Sequence, residues 1–299
     1  MSIGLEESMP KKLNAKQLRD YRADGYVYPL DALSAADVAR YRDELCKTEE
    51  HLGGSLMGID KKFRGNLHFL CKWVDELART PAIIDAAEDL LGPDILLYTT
   101  RFFIKEPRSE GIAAWHQDST YFGLRPFDHV TAWVALCDVT PETGPVEFAV
   151  GSHIRGQLQQ KSGVIKNSVN TAGQIIVEWF DQSQIDRAIL KPGQFSLHHT
   201  CVVHQSQPNR SDQRRIGIAL SYIPTRTRYI GKRRMPASLV RGKDEYNHFD
   251  LQPRPQVDFG DIEMQRHDTT FNAYIESFYE QLGEAEKDLP KDAAAGLVY

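Results

Sequence analysis

Residues 215–223 read Arg-Ile-Gly-Ile-Ala-Leu-Ser-Tyr-Ile, and the alternation within them decides the fold. Successive side chains of a strand point to opposite faces. One face of this stretch gathers Arg215, Gly217, Ala219 and Ser221; the other gathers Ile216, Ile218, Leu220 and Tyr222. A strand divided in this way packs its aliphatic face beneath helices and turns its small face toward an interior cavity. The guanidinium then sits at the cavity lip. Such a planar, permanently charged donor fork suits a bidentate carboxylate partner, whereas Arg214 reads as a surface residue.

Working outward, residues 95–104, 130–137, 146–150, 175–179 and 194–199 are further strand-like runs, rich in β-branched and aromatic residues. Turn chemistry separates them, as in Pro141-Glu142-Thr143-Gly144 and Lys191-Pro192-Gly193. They lie too close together for crossover helices, which excludes a parallel doubly wound sheet. The first third is helical instead. Asn14 caps a helix ended by Asp24-Gly25, and residues 26–28 form a short strand. Ser34 opens a second helix, and Thr80-Pro81 starts a third that Gly92-Pro93 stops. Helices followed by many short strands predict an all-β core with flanking helices, a sandwich or barrel.

Residues 1–299 are expected to form one domain. Residues 1–12 read as a flexible tail, 13–92 as a helical part packing on the barrel, and 93–225 as the core. Residues 155–190 read as a mouth loop. Residues 226–299 form a C-terminal extension with a helix over 271–282.

A net charge of −5 gives no reason to expect nucleic acid or an anionic membrane as partner. No apolar run approaches the ~20 residues of a membrane span, and residues 1–17 lack the apolar stretch of a secretory signal. Cys46, Cys71, Cys137 and Cys201 are scattered with no CxxC pair, the pattern of reduced thiols. A cytoplasmic protein acting on a small molecule is expected.

Chemistry concentrates in Trp115-His116-Gln117-Asp118. In an extended strand His116 and Asp118 share a face, setting an imidazole beside a carboxylate while Gln117 points away. His204, far downstream and just before the turn into the Arg215 strand, supplies a second imidazole. Two imidazoles and one carboxylate make the facial set that binds Fe(II) and leaves open positions. A structural zinc site wants four ligands, usually including thiolates. His198 and His199 are the rivals for the third position. His153 suits a turn, and His68, His129, His248 and His267 carry no partner pattern.

The chain also resembles a known family. Gly25-Tyr26-Val27, WHQD at 115–118, TAWVAL at 131–136, GPVEFAVGSH at 144–153, KPGQFSLHH at 191–199 and HQSQPNRSDQRR at 204–215 stand in the order found in the phytanoyl-CoA dioxygenase family of 2-oxoglutarate oxygenases. The resemblance covers roughly residues 14–225. It implies a double-stranded β-helix (jelly roll, cupin-like) barrel with the metal inside its mouth. By matching motif, His116, Asp118 and His204 become ligands of Fe(II), Arg215 the partner of the distal carboxylate of 2-oxoglutarate, and Ser206 its helper. Trp133, with Thr131 on the same strand face, stands beside the cosubstrate.

The implied reaction consumes O2 and 2-oxoglutarate, releases succinate and CO2, and oxidises an unactivated C–H bond. Related halogenases lack the carboxylate; Asp118 therefore points to hydroxylation, or a related oxidation such as desaturation, over halogenation. Two departures stand out: His204-Gln205-Ser206-Gln207 replaces the family's frequent His-Gly-Ser-Gly, and residues 155–190 match poorly. Tyr121, Phe122 and Arg125, just past Asp118, are candidates for the substrate pocket. The basic run over 226–234 is a candidate for attracting an anionic substrate, against a plain solvated surface. The competing readings are a non-catalytic jelly-roll binding module and a metal-dependent hydrolase.

Overall fold

The computed structural model describes residues 10–161, 163, 166–170 and 174–286. Among the described residues there are six α-helices: α1 (Ala15–Asp24), α2 (Ala35–His51), α3 (Lys72–Ala78), α4 (Pro81–Leu91), the short α5 (Ser119–Phe122) and α6 (Asp261–Glu286). The first half of the strand set comprises β1 (Tyr26–Asp31), β2 (Ile95–Lys105), β3 (Ala113–His116), β4 (Leu124–Arg125), β5 (Val130–Ala135), β6 (Val146–Ala149) and β7 (Gln160–Lys161). The second half comprises β8 (Ile175–Ile176), β9 (Ile185–Arg187), β10 (Gln194–His199), β11 (His204–Ser206), β12 (Arg215–Pro224), β13 (Arg228–Tyr229), β14 (Pro236–Arg241) and β15 (Asp250–Leu251).

Local chemistry sets the helix ends. Asn14 and Gln17 exchange side-chain and backbone bonds of 2.9 Å in a capping box at α1, and Ser34 with Asp37 does the same at α2. Gly25 closes α1 at φ 88°, where a Cβ would lie 2.5 Å from the His153 ring. The backbone N–H groups of Lys11, Lys12 and Leu13 all donate to Asp89 at 2.7–2.8 Å. That corrects the expected tail: the chain is anchored to α4 from Lys11 onward, while residues 1–9 lie outside the described residues.

A seven-stranded sheet runs in the order β1-β10-β5-β12-β2-β14-β15, and a second sheet in the order β3-β11-β6-β9. All pairings are antiparallel except β14 with β15. In β12 the division of faces is as expected. Ile216, Ile218, Leu220 and Tyr222 join one buried cluster with Trp73, Leu77 and Ile83 of α3 and α4. The Tyr222 hydroxyl donates to the Ala78 carbonyl at 2.6 Å, fastening the sheet to α3. The opposite face of β12, together with the matching rows of β5 and β2, looks across to the second sheet. The expected strand over 175–179 shrinks to Ile175–Ile176, and short β7, β8 and β9 punctuate the connection read as a loop.

Candidate metal and cosubstrate site

His116 ends β3 and pairs in register with His204 at the start of β11, so the two rings stand 4.1 Å apart. Asp118 does not belong to the strand. It has φ −72° and ψ −29°, the residue that opens α5. The turn out of β3, not the strand alternation expected from the sequence, carries the carboxylate to the imidazoles. The ligand atoms of His116, Asp118 and His204 all lie within 4.8 Å of one another, and all three residues are buried. Gln117 does face away. Its amide donates to Gly156 and Cys201 carbonyls and accepts from the Leu158 N–H, tying the mouth segment to the site.

The ring contacts suit a metal. His116 Nδ1 lies 2.7 Å from the Ala114 carbonyl and His204 Nδ1 lies 3.0 Å from the Val202 carbonyl. A carbonyl can only accept, so both Nδ1 atoms carry the proton and both Nε2 lone pairs are bare. Those Nε2 atoms stand 3.9 and 3.8 Å from Asp118 Oδ1. Burial lowers His116 to about 3 and His204 to about 4, keeping both rings neutral and fit to donate electron pairs. Burial alone pushes the Asp118 carboxyl up, yet His198, His204 and His116 together hold it well below the usual range. Thr131 donates to Asp118 Oδ2 at 3.2 Å, and the Tyr121 hydroxyl donates to Oδ1. Two bare imidazole nitrogens and an ionised carboxylate thus fit a divalent ion of Fe(II) type.

Of the two rivals, His199 turns away toward Tyr21 and His153. His198 turns inward: its Nε2 lies 3.6 Å from Asp118 Oδ2, and neither ring nitrogen has a hydrogen-bond partner. It lines the cavity without joining the convergent triad.

A cavity of ≈480 Å³ of empty space adjoins the triad and reaches Trp133, Ser206 and Arg215. Arg215 is 2% exposed and Lys105, its register partner on β2, is 1% exposed. Both converge on one hydroxyl: Lys105 Nζ lies 2.5 Å, and an Arg215 terminal nitrogen 2.9 Å, from Ser206 Oγ. Arg215 Nε has no partner. Desolvation, reinforced by Arg215, drives Lys105 down to about 5, and burial takes Arg215 down to about 10. Two basic groups buried side by side, the lysine discharged by burial and by Arg215, call for an anion between them. The Trp133 ring forms a wall, 5.4 Å from the Arg215 guanidinium and so close over Gly217 that a Cβ there would lie 1.9 Å from it.

Sequence reading missed Lys105. The signal was present in Ile-Leu-Leu-Tyr-Thr-Thr-Arg-Phe-Phe-Ile-Lys, where a lone lysine ends a buried strand on the same face as Phe103 and Arg101. Tyr121 and Phe122 line a second lobe of the cavity on the far side of His116 and Asp118. Arg125 does not join them; its guanidinium bonds Gln157 and lies over the Phe127 ring. In the basic run, Arg226 and Arg233 pair with Asp128 and Glu276, and Arg234 bonds Asn247 and the Phe249 carbonyl.

Comparison with known proteins agrees with this geometry. Two curated relatives, both phytanoyl-CoA dioxygenase domain-containing protein 1 homologs, come from Caenorhabditis briggsae (29% identical, 38% of this chain) and Caenorhabditis elegans (25%, 52% of this chain). The matches span 41% and 55% of those two proteins. Among solved structures, the non-heme monooxygenase ThoJ is 30% identical with a TM-score of 0.74, covering 91% of this chain and 99% of that one. CytC3 with Fe(II) and alpha-ketoglutarate, 19% identical over 83% of this chain and 96% of its own, shares the fold at a TM-score of 0.61. Residues 21–217 match the family model described as Phytanoyl-CoA dioxygenase (PhyH), and the chain belongs to that family, whose members use Fe(II), 2-oxoglutarate and O2.

Proposed function

We propose that the chain is an Fe(II)- and 2-oxoglutarate-dependent dioxygenase that hydroxylates an unactivated C–H bond of a small organic substrate, releasing succinate and CO2. One observation carries the reading: a single cavity holds both a three-ligand metal set and, beside it, a cationic cradle for a dicarboxylate. His116 and His204 offer neutral Nε2 atoms and Asp118 an anionic oxygen, leaving positions open for cosubstrate and O2. When bound, the iron with O2 and 2-oxoglutarate supplies the oxidising chemistry; the protein orients and shields it.

Arg215, Lys105 and Ser206 grip the distal carboxylate, which places the 2-oxo acid end of the molecule toward the triad. Trp133 and Val146 exclude water along the way. Thr131 fixes the Asp118 carboxylate, whose presence favours hydroxylation over halogenation. The two sheets are read as a double-stranded β-helix, a jelly roll closed around this site. A single domain is supported by the core cluster that α1–α4 share with both sheets. Among the described residues no helix is long and apolar enough to cross a membrane. Four cysteines free of disulfides support a cytoplasmic location.

Anaerobic Fe(II) titration followed by succinate assay with ascorbate and 2-oxoglutarate tests this. His204→Ala should lose Fe(II). Arg215→Leu should keep Fe(II) but weaken 2-oxoglutarate by about 10- to 100-fold, the worth of a charged hydrogen bond. Unchanged Fe(II) affinity in His204→Ala overturns the proposal.

A further inference from the structure

The second lobe of the cavity, ≈440 Å³ of empty space, lies across the triad from the cosubstrate cradle. Phe103, Tyr121, Phe122, Tyr274 and Phe278 supply its aromatic wall, and Thr99, Thr131, Ser221 and the ligands His116 and Asp118 line the rest beside the metal set. Into this lobe faces one cation, Arg101. The residue is half-buried on β2, and its guanidinium makes no hydrogen bond and no ion pair with any described residue. The nearest influences on its charge, after burial itself, are the neutral phenols of Tyr274 and Tyr121. Its ring neighbour, Phe103, is 5.7 Å from the guanidinium carbon and stands on the same row. Among the described residues, then, an arginine sits beside aromatic rings with no ion-pair partner, and the lobe's one carboxylate, Asp118, belongs to the metal set.

Leaving a guanidinium unpaired in such a place is costly, and folding does not require it. Asn170, which lines both lobes, adds an Nδ2 donor that also has no partner. Period-two alternation puts Thr99, Arg101, Phe103 and Lys105 on one face of β2. Four residues of strand separate the two cations by about 13 Å. The triad lies between the lobes they serve, since His116 and Asp118 line both. One strand therefore presents a basic side chain on each side of the metal ligands. The cosubstrate carboxylate accounts for Lys105 only.

We propose that Arg101 anchors an anionic group, a carboxylate or phosphonate, of the primary substrate, with the apolar remainder of that molecule held among the aromatic side chains. This rests on the oxygenase reading of the same site and specifies its substrate class. The bidentate fork of an arginine fits either oxyanion. Arg101 lines the same lobe as His116 and Asp118, so a short chain can run from the anchored end to the oxidised carbon.

The test uses the full chain loaded with Zn(II), so that nothing turns over, and saturated with 2-oxoglutarate, so that the cradle is filled. 2-Oxoglutarate binding is recorded first; its absence sinks the oxygenase reading, and its presence leaves only the Arg101 proposal in play. Hexanoate, N-acetylglycine and propylphosphonate are then titrated by calorimetry, each beside its neutral amide or ester. The anions should bind and their neutral counterparts should not, and Arg101→Gln should weaken the anions by about 10- to 100-fold. Arg101→Met should melt no lower than the parent, because an unpaired cation lends the fold nothing. Equal binding of the neutral compounds, an Arg101→Gln titration matching the parent's, no binding by any anion, or a lowered melting temperature in Arg101→Met each overturns it.

Discussion

Replacing Lys105 by methionine should abolish a proton uptake that accompanies 2-oxoglutarate binding in the parent protein. The ammonium of Lys105 is buried beside Arg215, and its pKa falls to about 5, opposed only by Glu147. Near pH 7 the free site therefore holds a neutral amine. A carboxylate seated on Ser206 and Arg215 favours the charged form, so binding draws a proton from solvent. Charging an amine two units above its pKa costs about 2.7 kcal/mol, roughly 100-fold in affinity. The parent should accordingly lose about tenfold in 2-oxoglutarate affinity per pH unit between pH 6 and 8. Calorimetry of the Zn(II)-loaded protein in buffers of different ionisation enthalpy should count close to one proton taken up.

Lys105→Met should bind more weakly at pH 6, show a flatter pH profile, and take up about one proton fewer. Stability should move the other way. In the unfolded chain the lysine titrates near its ordinary 10.5, so between pH 5 and 10.5 the unfolded state holds the extra proton. The parent thus gains stability as pH rises through that window. At pH 7 the variant is relieved of a penalty of at most ~5 kcal/mol and should melt higher. A parent with no proton uptake and a pH-independent affinity would refute the reasoning.

Tyr121→Phe removes the hydroxyl that donates to Asp118 Oδ1; metal affinity should fall about 10- to 100-fold with the melting temperature little changed, checked by competitive metal titration. Gly217→Ala forces a methyl into the Trp133 ring, 1.9 Å away; displacement of the indole should cost about 1–3 kcal/mol in denaturant unfolding and weaken 2-oxoglutarate in calorimetry. Tyr222→Phe deletes the bond between β12 and the Ala78 carbonyl, and chemical unfolding should register about 1–2 kcal/mol lost with cosubstrate affinity intact.

How legible the fold was depended on which force wrote the pattern. Hydrophobic alternation and turn residues are local, and they placed β2, β5, β10 and β12, together with α1, α2 and α4, close to where they lie. The helix α3 was missed because Lys72–Ala78 is only two turns long, begins at Cys71 without a side-chain cap, and is held by packing of Trp73 and Leu77. The anchoring of Lys11 through Leu13 was equally invisible, since Asp89 accepts from backbone N–H groups that every residue possesses.

The site divides along the same line. His116, Asp118 and His204 could be picked out because a metal demands particular side-chain types, and those types announce themselves. Lys105 and Arg101 could not, because what makes each of them unusual is the absence of an ion-pair partner. Absence is a property of tertiary structure. A lysine and an arginine four residues apart on a strand look alike in sequence to any solvated pair. The antiparallel register of β2 against β12 sets Lys105 opposite Arg215 and Arg101 opposite Ala219. That register gives one cation a partner of its own sign and a shared serine, and it leaves the other facing aromatic rings. Identical spacing thus yields two different chemical tasks. What assigns them is the order in which β12 alternates a guanidinium with small side chains, the feature from which the fold itself was first read.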